Sequence, residues 1–99
     1  MFAAVLTFDL HMPLVDSLKE RRSVLSPILH GARRRFEIAA AEVGDPDRLR
    51  FGRLAFATVG ARPSVVTETL DAVERFVWSF PEVEVSDSWR TWLDNEEAR

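Results

Sequence analysis

Along residues 2–11, FAAVLTFDLH, side chains alternate in two sets. Phe2, Leu6, Phe8 and Leu10 fall to one side, and Ala3, Val5, Thr7, Asp9 and His11 to the other. That is the period of two of a strand, and Pro13 ends it. The period then lengthens. Leu18, Leu25, Ile28, Leu29, Ala32 and Phe36 recur at helical spacing, which predicts an amphipathic helix over 17–36. Ser17 suits its N-cap, with Glu20 at the capping-box position. Pro27 has no N–H to offer the carbonyl of Ser23, so a kink is expected there. The alternative is a second segment capped by Ser26 and opened by Pro27.

EIAAAEV at 37–43, followed by Gly-Asp-Pro, predicts a strand running into a turn, and GDPDRLR at 44–50 a loop. FGRLAFATV at 51–59 reads as a third strand, ended by Gly60. Val66, Leu70, Val73, Val77 and Phe80 form the stripe of a second helix over 63–80, with Pro63 in its first turn and Pro81 beyond it. EVEVSD at 82–87 alternates again, with Val83 and Val85 inward. A segment bearing Trp89, Trp92 and Leu93 follows, then a polar tail at 94–99. One domain over 1–93 is expected, in the order β-α-β-β-α-β. Two split βαβ units with right-handed crossovers give a four-stranded antiparallel sheet with both helices on one face. The fold class is α+β, a ferredoxin-like sandwich whose other sheet face is open.

Several short stretches carry a resemblance. His11-x-Pro13 closes the first strand, and SLKERRSV follows at 17–24. Ala41-Glu42-Val43-Gly44, Pro81-Glu82-Val83-Glu84-Val85 and Trp92-Leu93 come later. Together, over about residues 1–93, they resemble the YlxP-like family, small bacterial proteins of unknown function. SLKERRSV is the most specific of them. The resemblance implies a ferredoxin-like fold and no known reaction. Genes of that family often sit beside those of translation initiation and ribosome maturation, which implies a link to the ribosome or to RNA. Pro27 and Trp89 depart from the family pattern.

Composition narrows the function classes. The 99 residues suffice for one core. Without cysteine, disulfide and thiolate chemistry are excluded. No apolar run reaches the length of a membrane span, and the start lacks a basic leader segment, so a cytoplasmic protein without a membrane partner is expected. The net charge of −3 argues against a general polyanion binder. It is unevenly spread: residues 1–62 hold ten cations and seven acids, and the remainder three and nine. Only one of the thirteen cations is lysine, a bias that suits phosphate contacts but is attributed here to coding habit.

SLKERRSV places Lys19, Arg21 and Arg22 at a helix start, where cations oppose the macrodipole. On a helical wheel Lys19, Ser23, Ser26, His30, Arg33 and Arg34 share the outer face, while Arg21 and Arg22 flank the apolar stripe. The preferred reading pairs the two flanking arginines with carboxylates such as Asp9, Asp16 or Glu42. The functional reading makes Lys19, Arg21, Arg22, Arg33 and Arg34 a phosphate- or nucleic-acid-binding set. The two histidines, His11 and His30, have no ligand partners at metal spacing, so no metal and no cofactor are expected. Asp9, His11 and Glu42 are the candidates for acid/base work, but no nucleophile accompanies them and a non-enzyme is expected. By alternation the open face carries Ala3, Val5, Thr7, Ala39, Ala41, Val43, Phe51, Arg53, Ala55 and Ala57. An RNA-reading sheet would have aromatics there. An apolar face of this size needs a cover. Either the segment with Trp89 and Trp92 folds over it, or a second copy packs there. A homodimer with both tryptophans at its rim is preferred. The partners considered are thus a second copy, ribosomal RNA and a ribosomal protein.

Overall fold

The computed structural model describes residues 1–93, so the polar tail at 94–99 lies outside the described residues. Strand β1 (Phe2–His11) is followed by α1 (Leu18–Arg35), β2 (Ala39–Glu42), β3 (Phe51–Gly60), α2 (Pro63–Trp78) and β4 (Glu84–Trp92). The strands form one sheet in the order β2-β3-β1-β4, and every neighbouring pair is antiparallel. This is the ferredoxin-like sandwich, with β1 and β3 central and β2 and β4 at the edges.

Alternation sets the core. Ala4, Leu6, Phe8 and Leu10 of β1 and Leu54 and Phe56 of β3 are buried on the helix side. Against them lie Leu25, Ile28 and Ala32 of α1 and Val66, Leu70, Val73 and Val77 of α2. Each such side chain contributes roughly 1.5–3 kcal/mol on burial. The helices approach closely at Gly31, where an added Cβ would sit 2.7 Å from the Phe76 ring.

Ser17 caps α1, its hydroxyl accepting from the Glu20 amide at 3.1 Å. Pro27 does not divide the helix, which runs unbroken from Leu18 to Arg35. It lies on the exposed side, where water can serve the carbonyl of Ser23 that lacks its helical donor.

The fourth strand differs most from expectation. It starts at Glu84 and continues to Trp92, so the tryptophan segment does not fold over the sheet but extends it along β1. A bulge interrupts this pairing. Asp9 pairs with Asp87 and Leu10 with Val85, which leaves Ser86 as the extra residue. The bulge shifts the phase of alternation, so Val85 is followed on the helix side by Ser88, Arg90 and Trp92. Arg90 reaches α2 there, donating to Asp71 at 2.7 Å and Glu74 at 3.1 Å.

Candidate functional site

The register defines the open face row by row. One row runs Ala39, Ala57, Val5, Thr91 across β2, β3, β1 and β4. The next runs Ala41, Ala55, Thr7, Trp89. Beyond them, Ala3 lies beside Val59 and near Leu93, whose amide donates to the Ala3 carbonyl at 2.9 Å. A shallow concavity of about 580 Å³ at this end of the sheet is lined by Ala3, Val5, Ala39, Ala57, Val59, Thr91 and Leu93 together with Ala4, Glu37, Ile38, Thr58 and Trp92. No aromatic side chain stands on this part of β1 or β3. Trp89 rises from the edge and is 36% exposed. Trp92 also borders the concavity but alternates to the other side of the strand: it pairs with Ala4, which points to the helices. The tryptophans are three positions apart, and an odd step along a regular strand changes sides.

The other end of the face is charged. Arg53 grips Asp9 with two hydrogen bonds, Nε to Oδ1 at 2.7 Å and a terminal nitrogen to Oδ2 at 3.0 Å. The same guanidinium lies 5.1 Å from the Trp89 ring centroid, so Asp9, Arg53 and Trp89 form one stack across three strands. The hydrogen bond from Arg53 lowers the Asp9 carboxyl below its ordinary value, outweighing desolvation, and Asp9 in turn raises Arg53. His11 meets Glu84 at 3.3 Å and stacks on Phe51. Arg48 covers the Phe51 ring at 4.4 Å. A cleft of about 400 Å³ beside these residues is lined by both signs, with Asp9 and Asp45 against Arg48 and Arg53.

The five cations of α1 named from the sequence do not act as one set. Arg21 is 6% exposed and sits in the buried stripe rather than beside it. It donates to both carboxylate oxygens of Glu42, to the Arg48 carbonyl at 3.3 Å and to the Phe51 carbonyl at 2.8 Å. The carboxylate reading thus describes Arg21, with Glu42 as its partner. Arg33 is exposed but donates to the carbonyl of Ala40. Lys19, Arg22 and Arg34 are exposed and form no ion pair among the described residues. They lie along the outside of α1 with His30, on the side of the molecule opposite the open face.

Asp9, His11 and Glu42 are not brought together. Asp9 and His11 project from the open face, whereas Glu42 turns inward to Arg21. Among the described residues no group of three His, Asp or Glu could hold a metal ion. No helix among them is long and apolar enough to cross a membrane. The Asp9–Arg53–Trp89 stack is the feature that sequence reasoning missed. Its signal is the register, which places Arg53 opposite Asp9 only once the ends of both strands are known.

Comparison with known proteins adds the following. A family model described as "Protein of unknown function (DUF503)" matches residues 3–90. The uncharacterized protein YlxP of Bacillus subtilis (strain 168) is 32% identical over 77 residues, covering 78% of this chain and 84% of that protein. The guanine nucleotide-binding protein alpha-7 subunit of Caenorhabditis elegans is 38% identical over 64 residues, covering 54% of this chain but 18% of that protein. So small a share of that subunit carries no argument about activity.

Proposed function

The chain belongs to the DUF503 family of proteins of unknown function, and from that premise we propose that it is a non-catalytic interaction domain that pairs with a second copy through its open sheet face. One observation carries this reading: Ala39 and Ala41 are exposed and Val5, Ala55 and Ala57 half-exposed, an apolar surface around Thr7, which the chain itself already buries. Monomers rarely leave such a surface to water, and burying it yields about 25 cal/mol for each Å². A second copy is the simplest cover, because it brings an identical surface. Sedimentation of the purified chain over a range of concentrations tests the reading. A dimer is expected, and Ala55→Arg, which puts a charge in the middle of the face, should leave a folded monomer. A wild-type chain that stays monomeric at hundreds of micromolar would refute it.

A second reading is supported by the free cations of α1 and by the resemblance to proteins encoded beside translation genes. In it the domain is a cytoplasmic accessory of the ribosome that contacts RNA phosphates through Lys19, Arg22 and Arg34, with Arg33 nearby. Arg21 has no part in it, since its guanidinium is already engaged. Three phosphate contacts should give a slope of log affinity on log salt of roughly −2 to −3. Binding to a structured ribosomal RNA fragment that follows this slope, and is lost in a folded Arg22→Glu/Arg34→Glu variant, is the expected result. Binding indifferent to salt would remove the reading.

A further inference from the structure

The open face is complementary to itself in one orientation. We propose that two copies pack with a two-fold axis between the sheets and parallel to the strands, so that β4 of each copy lies over β2 of the other. This rests on the reading that the open face is where two copies meet.

Size is the first argument. The face is uneven from side to side: the β2 and β3 side carries Ala39, Ala41, Ala55 and Ala57, while the β4 side carries Trp89 and Leu93. A strand-parallel axis exchanges the two sides and keeps each row in place. Trp89 then lies over the partner's Ala41. Large meets small, as a close-packed interface requires. An axis running across the strands would instead set β4 on β4 and β2 on β2. The tryptophans would collide while alanine faced alanine across a gap.

Charge is the second argument, and it is independent of size. The strand-parallel axis exchanges β1 with β3, so Arg53 lies over the partner's Asp9 and Asp9 over the partner's Arg53. The two pairs, each already formed within one copy at 2.7 and 3.0 Å, join as a ring of alternating sign. Across the two copies no carboxylate faces a carboxylate there, although within each copy Asp87 pairs with Asp9 in the same row and acts on Arg53. Trp89 is held ready beneath Arg53 in the single chain, which lowers the ordering cost of association. Extent agrees. Four strands about 4.8 Å apart and nine steps of about 3.4 Å bury up to roughly 1,100 Å² over two copies, close to the ~1,200 Å² at which stable interfaces begin. A stable dimer therefore needs the charged row as well as the alanine rows, and this axis engages both. Aligned sheets cross at about 30°, so the match is tightest near the axis.

A swap tests the arrangement. Trp89→Ala removes the large residue and Ala41→Trp fills the place it enters, so each alone should weaken the dimer at least tenfold in sedimentation. The double variant Ala41→Trp/Trp89→Ala restores large against small and should recover dimerisation to within a few fold of wild type. Circular dichroism establishes that each variant is folded. Cross-linking provides a second measurement that does not rely on bulky substitutions. The chain has no cysteine, so Ala39→Cys and Thr91→Cys give single-thiol proteins. Row for row, residue 39 faces the partner's Thr91, whereas like residues lie about 14 Å apart sideways. A short bismaleimide should therefore join the two proteins when mixed and neither one alone. A wild-type dimer with no rescue by the swap, and with cross-links between like residues, overturns the arrangement and leaves the pairing reading standing. A wild-type monomer overturns both.

Discussion

The guanidinium of Arg21 ties three parts of the chain together: α1 on which it stands, Glu42 at the end of β2, and the carbonyls of Arg48 and Phe51 at the entrance to β3. Its charge is taken from water and returned as hydrogen bonds. Removing one partner leaves the other without compensation, so Arg21→Ala should cost about 3 kcal/mol in urea unfolding. Replacing both, as Arg21→Met/Glu42→Leu, should recover most of that loss, because the apolar pair needs no such compensation. A double variant as unstable as the single one would show that the two carbonyls, not Glu42, are what Arg21 serves. The Asp9–Arg53 pair behaves differently because it is exposed. Asp9 is lowered in the folded chain, so its contribution is present above the ordinary carboxylate value near 4 and fades as pH falls through the lowered value. The melting temperatures of wild type and Asp9→Asn, measured at low protein concentration, should therefore differ at neutral pH and converge in acid.

Elements show what sequence can and cannot reveal. The strips of β1, α1 and α2 are legible because each keeps a single period from end to end. β4 is legible only as far as Val85, because the bulge at Ser86 breaks its phase and puts Ser88 and Arg90 where an apolar residue would mark the inward side. The face of Trp92 is lost with that phase. Arg21 is hidden for another reason: a cation inside an apolar stripe reads as a neighbour of the stripe unless its carboxylate is known, and Glu42 is distant in sequence. The open face, by contrast, follows from alternation alone, and Ala3, Val5, Thr7, Ala39, Ala41, Ala55 and Ala57 all project there. Within α1, Pro27 leaves the helix continuous but withholds one hydrogen bond. Pro27→Ala restores the donor at an exposed position. It should raise stability, by up to about 3 kcal/mol, in the same urea experiment. No gain would mean that water already serves the Ser23 carbonyl as well as an amide would.

For the whole molecule, pairing links stability to concentration. If two copies bind only when folded, the melting temperature must rise with total protein, and Ala55→Arg should abolish the dependence. A melting temperature flat across a hundredfold range of wild-type concentration would count against pairing. The strand order carries a further consequence, for the time before any partner is met. β1 is synthesised before the other three strands, yet it pairs on one side with β3 and on the other with β4, Ala4 lying opposite Trp92. Contacts so remote along the chain are slow to form. While the ribosome is still making α2, β1 can be paired on one side at most, and its other edge offers free backbone groups to any neighbouring nascent chain. A message cut short before the codon for Glu84 would thus yield a product with a central strand of the sheet, β1, exposed as an edge, a product prone to aggregate even though most of its core residues are present.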